Sequence, residues 1–270
     1  MPQRLGQHFL NNVSVIKKII AALDLRSGET IIEIGPGKGA LTLPLADICA
    51  EIGCHIIGIE KDSALANQLT SKLVNKNIVE IIQGDALKEL PRLISHYTLN
   101  ANRYTLVGNI PYYITGHLLR VISELERKPE RTVLMIQKEV AVRLTAKPGK
   151  MNLLAAATQI WADVSVIATL KPEDFSPAPK VESAVITLKL KTWNLNRETV
   201  EHYYQLIHAA FKQPRKTLLN NLSEGFGRSK ADFLPILQQL SFTEKTRGQE
   251  LRIEDLIALA ALSFSRDDKQ

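Results

Sequence analysis

The chain has 270 residues, 45% of them hydrophobic and 23% charged, which excludes a disordered or fibrous protein and leaves room for one large domain and one smaller. With 34 Lys+Arg against 28 Asp+Glu the formal charge is +6, which permits a polyanionic partner without demanding one. The first residues lack the apolar core of a signal peptide and no segment reaches the roughly eighteen apolar residues of a membrane span, so a cytoplasmic protein without membrane attachment is expected.

After a short basic arm, apolar residues at helical spacing predict a helix over 15–25, with Asn12 or Ser14 as N-cap. Strand and helix patterns then alternate. Strands are predicted at 30–34, 55–60, 78–83, 104–109 and 132–137, and helices at 40–52, 63–74 and 116–127. This alternation implies an α/β fold with a parallel sheet and helices on both faces. Two further β-rich runs, 163–170 and 182–191, flank the loop Phe175-Ser176-Pro177-Ala178-Pro179 and suggest an antiparallel, hairpin-like addition at the sheet edge. Beyond Trp193 the pattern becomes helical, with helices predicted at 198–211, 215–222, 230–240 and 250–264. The expected division is therefore 1–192 and 193–270. Cys49 and Cys54 are the only cysteines and lack any CxxC or Cys/His pattern, so they are expected as reduced core residues. His55, His96, His117, His202 and His208 form no spaced ligand set, and no metal site is expected.

The strand at 30–34 runs into Gly35-Pro36-Gly37-Lys38-Gly39-Ala40, where glycines let the backbone turn and approach a ligand at the start of the next helix. The segment fits Glu-x-Gly-x-Gly-x-Gly, typical of S-adenosylmethionine (SAM) sites. Gly35, Gly37 and Ala40 also satisfy the dinucleotide pattern GxGxxG/A, so the loop alone says only nucleotide-like cofactor. Glu60 ends the second strand, where a carboxylate can accept from ribose hydroxyls. Asp85 ends the third, where it can accept from an adenine amino group or cap the helix beginning at Ala86.

Asn109-Ile110-Pro111-Tyr112 separates the two cofactor readings. An Asn side-chain oxygen and a backbone carbonyl locked before proline can accept both hydrogens of an exocyclic amino group, and Tyr112 offers a flat face for the attached ring. Adenine's amino nitrogen is a poor nucleophile because its lone pair is delocalised. Accepting both N–H bonds favours a pyramidal nitrogen able to attack an in-line methyl. Phe175 either covers the second face of the base or is plain core. Arg4, Lys138, Arg143, Lys147, Lys150, Lys212, Arg215 and Lys216 are candidates for phosphate contacts. In Phe211-Lys212-Gln213-Pro214-Arg215-Lys216-Thr217, Pro214 can begin a helix, and cations held there oppose its dipole, which points to function.

Across nearly its whole length the chain resembles the ribosomal RNA adenine N6,N6-dimethyltransferases of the small subunit. The resemblance is carried by Leu5-Gly6-Gln7-His8-Phe9-Leu10, the stretch from Glu33 to Thr42, Ile59-Glu60-Lys61-Asp62, Gly84-Asp85-Ala86, Asn109 to Tyr112, Gln137-Lys138-Glu139-Val140 and the stretch from Phe175 to Val185. It implies a seven-strand methyltransferase sheet followed by a small helical domain. It also implies SAM held by His8, Leu10, Gly35, Gly37, Glu60, Lys61, Asp85, Ala86 and Asn109, with the amino-terminal arm folding over it. The implied substrate is two adjacent adenosines near the 3′ end of small-subunit rRNA within a pre-ribosomal particle, acted on by a monomer. The chain departs from the family pattern at Lys150-Met151-Asn152-Leu153-Leu154, where a Tyr-Gly pair is usual. The alternatives are a large-subunit rRNA adenine methyltransferase of the macrolide-resistance type, a derived RNA- or DNA-binding assembly or transcription factor, and a nicotinamide-dependent dehydrogenase.

Overall fold

The computed structural model describes residues 8–73, 77–96 and 103–264. Contacts divide the chain into two compact units, Met1–Ala141 with Ala162–Leu190, and Val142–Trp161 with Lys191–Gln270.

The first unit begins with a two-residue strand, β1 (Phe9–Leu10), and helix α1 (Val13–Leu23). Val15, Ile19 and Leu23 recur every fourth residue, giving α1 one buried stripe. Asn12 caps it by accepting from Val15 N at 3.2 Å, and Asp24 ends it in the left-handed conformation. Then come β2 (Thr30–Ile34), α2 (Thr42–Ile52), β3 (His55–Glu60), α3 (Ser63–Lys72), β4 (Val79–Gln83), α4 (Ala86–His96), β5 (Tyr104–Asn109), α5 (Thr115–Glu124), β6 (Arg131–Gln137) and α6 (Lys138–Leu144), of which the residues up to Ala141 belong to this unit. The unit is completed by β7 (Ala162–Leu170), the short β8 (Phe175–Ser176) and β9 (Ser183–Leu190).

Seven strands form one sheet in the order β4-β3-β2-β5-β6-β9-β7, with β1 and β8 paired separately. Every residue of β2 is buried, as expected of a central parallel strand covered on both faces. Successive crossovers run from β2 to β3 to β4 on one side, after which β5 returns to the other side of β2. The carboxyl ends of β2 and β5 are therefore a topological switch point, the place where open α/β sheets bind ligands. The antiparallel addition differs from a simple edge hairpin. β9 inserts between β6 and β7 and bonds to both, so β7 becomes the edge strand. Buried Val185, Ile186 and Leu188 suit β9 to that interior position.

Cys49 and Cys54 are joined by a disulfide, which corrects the expectation of two reduced thiols. Gly53 ends α2 in the left-handed conformation and folds the chain back, bringing the two Cα atoms within 4.6 Å.

The second unit contains α7 (Leu153–Gln159), α8 (Arg197–Ala210), α9 (Leu218–Phe226), α10 (Lys230–Gln239) and α11 (Ile253–Phe264). A linear boundary at 192/193 leaves Val142–Trp161 in the first unit, whereas the contacts group it with the second. Buried Tyr203 donates to the Ala156 carbonyl at 3.0 Å and Tyr204 to the Ala157 carbonyl at 3.2 Å, tying α7 to α8. The helix expected at 215–222 starts later, at Leu218, with Thr217 accepting from Asn220 N. Pro214 therefore lies in the turn between α8 and α9, and the cations around it precede the helix rather than begin it. In the segment that departs from the family pattern, Asn152 caps α7 and donates to the Arg143 carbonyl. Among the described residues no helix is long and apolar enough to cross a membrane.

Candidate active site

Ile34 pairs with Gly108 across β2 and β5, so Gly35 and Asn109 leave the two strands side by side. Gly108 makes that closeness possible, because a Cβ there would meet the Ile34 carbonyl oxygen at 2.7 Å. Gly35 N donates to the Ile59 carbonyl and Gly84 N to the Glu60 carbonyl, fixing the start of each loop against the neighbouring strand end. Gly37 has φ +56, and a Cβ on it would lie 3.1 Å from the Phe9 ring. The glycines thus form a cradle whose space a side chain would fill.

A cavity opens at this switch point. Its walls include His8 and Leu10 of the arm, Glu33 to Gly37, Glu60 and Lys61, Asp85 and Ala86, and Asn109 to Ile114. Every residue expected to hold the cofactor lines it, as do Asn109, Ile110, Pro111 and Tyr112.

Glu60 is buried at the end of β3 and braces the loops on either side. One carboxylate oxygen accepts from Gly37 N and the other from Asp62 N, both at 2.9 Å. Asp85 combines two roles that the sequence left open. Its Oδ1 accepts from Leu87 N at 3.1 Å, capping α4, while Oδ2 pairs with Lys61 Nζ at 2.8 Å on the cavity wall. The Lys61 hydrogen bond holds the Asp85 carboxyl below its ordinary range. Lys38 Nζ lies 4.5 Å over the Phe9 ring, pinning the arm against the glycine loop.

Asn109 donates from Nδ2 to the His8 carbonyl oxygen at 2.8 Å. A carbonyl can only accept, so the amide's orientation is fixed and Oδ1 remains its acceptor. Tyr112 begins a short 3-10 turn (Tyr112–Ile114), and its hydroxyl shares a 2.6 Å hydrogen bond with Ser183 Oγ at the start of β9. The His8 and Tyr112 rings are stacked, with centroids 6.1 Å apart.

Phe175 departs from the stacking role. It is 4% exposed, packs in the core with Leu10, Ile19 and Val185, and does not line the cavity. The reason is β1 pairing with β8, which sets Leu10 opposite Phe175.

Glu33 opens the glycine motif and Ser183 lies in the stretch from Phe175 to Val185, but the sequence assigned neither a role of its own. Glu33 is 2% exposed in the wall of the cavity, and burial pushes its carboxyl up to about 7. The Thr42 hydroxyl, bonded to it at 2.7 Å, opposes that rise, and the charge of Glu60 adds to it. A Glu inside an otherwise apolar central strand was the available signal. Nothing local marks Ser183.

The cationic candidates fall into three groups. Arg4 lies outside the described residues. Lys138 is paired with Glu182 at 2.9 Å and Lys216 with Glu224 at 2.8 Å. Arg143, Lys147, Lys150, Lys212 and Arg215 are exposed and form no ion pair within 4.0 Å among the described residues; all five belong to the second unit.

The donor set suits SAM. The cavity joins a glycine cradle, a buried carboxylate at a strand end and a second carboxylate one strand further on, and Glu33 adds a buried acid that a cationic ligand would favour in its ionised form.

A sequence profile described as ribosomal RNA adenine dimethylase matches residues 2–259. The chain is 36% identical to ribosomal RNA small subunit methyltransferase A of Dehalococcoides mccartyi (strain CBDB1), covering 93% of this chain and 84% of the relative. It is also 36% identical to the protein of that name from Mycoplasmopsis pulmonis, covering 95% and 96%. Among solved structures, a dimethyladenosine transferase from Plasmodium falciparum superposes with a TM-score of 0.77 at 25% identity, covering 97% of this chain and 98% of that one. The 23S rRNA methyltransferase ErmE shares the fold, with a TM-score of 0.74 at 23% identity over 94% and 98% of the two chains.

Proposed function

The chain belongs to the ribosomal RNA adenine dimethylase family, and from that premise we propose that it dimethylates the N6 amino groups of two adjacent adenosines near the 3′ end of small-subunit rRNA. It is a methyltransferase and its cofactor is SAM. The reaction acts on RNA within a pre-ribosomal particle, and the enzyme works as a monomer in small-subunit biogenesis.

The observation that carries this reading is the orientation of Asn109. Its Nδ2 is committed to the His8 carbonyl, which leaves Oδ1 to accept from an amino group beside the Ile110 carbonyl and the Tyr112 ring. Bound SAM supplies an electrophilic methyl on a sulfonium centre. The chain's contribution is to position the base and its nitrogen lone pair, and two preorganised acceptors favour the pyramidal nitrogen over the planar one. His8, Leu10, Gly35, Gly37, Glu60, Lys61, Asp85, Ala86 and Asn109 hold the cofactor. Asp85, now paired with Lys61, would accept from the cofactor's adenine amino group, and Glu33 would favour its positive charge. Tyr112, tethered by Ser183, gives the target ring a face to stack on. Arg143, Lys147, Lys212 and Arg215 contact phosphates, with Lys138 and Lys216 joining once released from their acidic partners.

Transfer of labelled methyl from SAM to undermethylated small subunits, with large subunits as control and the product nucleoside identified, tests the assignment. N6-dimethyladenosine on small subunits is expected. Label confined to large subunits would place the chain with the macrolide-resistance type of enzyme instead.

A further inference from the structure

A second cavity lies wholly within the second unit and shares no lining residue with the cavity at the switch point. It encloses about 220 Å³, several times the roughly 30 Å³ of one water, which is room for a ring rather than a single solvent molecule. Met151, Leu153, Phe211 and Pro214 give it apolar walls, and Arg143 and Gln249 bring long polar side chains to its lining. Neither the Arg143 guanidinium nor the Gln249 amide has a hydrogen-bond or ion-pair partner among the described residues. The Asn152 amide, also on the lining, is occupied: it donates to the Arg143 carbonyl and accepts from Ala155 N.

The walls are fixed before anything enters. The Gln249 carbonyl accepts from Gly149 N at 2.7 Å and from Met151 N at 3.2 Å, tying the loop before α7 to the 3-10 turn Gly248–Glu250. Gly248 lets that turn lie against α8, because a Cβ there would meet the Ala210 carbonyl oxygen at 3.0 Å and the Phe211 ring at 3.3 Å. Buried Asn221 donates to the carbonyls of Ala210 and Gln213, both at 3.0 Å, and so holds the turn between α8 and α9. A preformed wall loses little freedom on binding.

The surrounding charge says what kind of ring fits. Lys147, Lys150, Lys212, Arg215 and Arg247 stand near the lining residues in sequence; all are exposed and form no ion pair within 4.0 Å among the described residues. Glu250, the acid of the 3-10 turn, accepts from Arg247 N. An apolar slot with a free amide and a free guanidinium, flanked by unpaired cations, matches an unstacked nucleotide, whose base seeks a surface and an edge contact and whose phosphate seeks a cation.

We propose that this cavity is a second RNA subsite, which takes one unpaired nucleotide other than the methylated pair. Its base enters between the apolar walls with an edge on the Gln249 amide, and its phosphate meets Arg143. This rests on the RNA substrate assigned above and adds a base contact to a surface otherwise made of phosphate contacts. Met151, Asn152 and Leu153 belong to the stretch where the chain departs from the family pattern, so this wall is the chain's own.

The test measures binding of the full chain to undermethylated small subunits across a salt series, together with base-specific chemical probing of the RNA in the complex. Gln249→Ala removes the amide without changing charge, so binding should weaken on the order of 10-fold, the scale of one base-edge contact, at an unchanged salt slope. Arg143→Gln should weaken binding and lower the slope by about 0.7, one single-strand phosphate. Wild type should protect one unpaired base outside the methylated pair, and Gln249→Ala should leave that base reactive. Leu153→Trp, which fills the cavity, should lose the same protection. Gln249 has no side-chain partner to lose, so its variant should unfold in denaturant as wild type does and serves where the tryptophan variant does not fold. The inference is overturned if Gln249→Ala binds as wild type does, or if no base outside the methylated pair changes its reactivity. Weaker binding with every base protection intact would assign the cavity to a protein partner and overturn it too. A wild-type chain that binds no small subunits would overturn the substrate reading and the inference with it, whereas one that binds and methylates them without a Gln249-dependent base overturns the inference alone.

Discussion

Asn109 and His8 are joined by a 2.8 Å hydrogen bond from side-chain amide to backbone carbonyl, across 101 residues of sequence. The bond links the end of β5 to the arm preceding α1, and it decides which end of the Asn109 amide is free to accept. Replacing Asn109 by alanine removes that acceptor and leaves the glycine cradle and Glu60 untouched. Methyl transfer should fall on the order of 10² or more, the usual cost of losing a preorganised polar group. SAM binding should fall far less than transfer, because the other residues assigned to the cofactor remain, and near-normal turnover would exclude the role given to Asn109.

Tyr112 contributes a ring and a hydroxyl, which two substitutions separate. Tyr112→Phe keeps the ring and loses the bond to Ser183, a neutral hydrogen bond worth about 1 kcal/mol. Tyr112→Ala also loses the stacking face, worth roughly 1–3 kcal/mol. Half-saturation by small subunits should therefore rise modestly in the first and substantially in the second. Equal effects would mean that the ring contributes nothing to holding the base.

Glu33 makes stability depend on pH in an unusual direction. Its carboxyl is raised from 4.5 to about 7, so the folded state favours the protonated form. That stability is fully present below about pH 4.5 and is lost as pH rises through about 7, an effect of about 3 kcal/mol at most. Without cofactor, Glu33→Gln should flatten this part of the pH profile, as measured by denaturant unfolding at pH 5 and pH 8. SAM is cationic and favours the ionised carboxylate, so its affinity for the wild type should rise across the same window. A pH-independent affinity in wild type, or an unchanged slope in Glu33→Gln, would separate Glu33 from the cofactor.

Lys212 and Arg215 are exposed in the turn between α8 and α9, whereas Lys216 is occupied by Glu224. Neutralising Lys212 and Arg215 together should reduce the salt dependence of RNA binding by a slope of roughly 1.4 to 1.8, two phosphate contacts' worth. Adding Lys216→Gln should change it less than either of the others. An unchanged slope in the double variant would remove this turn from the interface.

Much of the fold was legible because its signals are local. The predicted strands at 30–34, 55–60 and 104–109 coincide with β2, β3 and β5, where apolar runs, and after β2 and β5 a glycine or a proline, leave little choice. The helix predicted from residue 40 begins instead at Thr42, because the glycine segment remains in turn conformation to shape the cradle. The start of α9 was misplaced because Pro214 suits a turn as well as a first helical turn, and Thr217 is the residue that caps the helix.

The sequence by itself determined the alternating α/β order, the glycine loop and the Asn109–Tyr112 motif, since each follows from side-chain period or from the backbone freedom of glycine and proline. It could not say whether Phe175 faces a ligand or the core, whether Cys49 and Cys54 meet as a disulfide, or which lysines are paired. Those outcomes depend on segments distant in the chain. Pairing of β1 with β8 buries Phe175 behind Leu10, and the fold-back at Gly53 brings the cysteines together. Enclosure of β2 within the sheet takes water from Glu33 and raises its pKa. The tertiary structure alone placed His8 opposite Tyr112, because a ring from the arm and a ring after β5 become neighbours only when the chain has closed on itself.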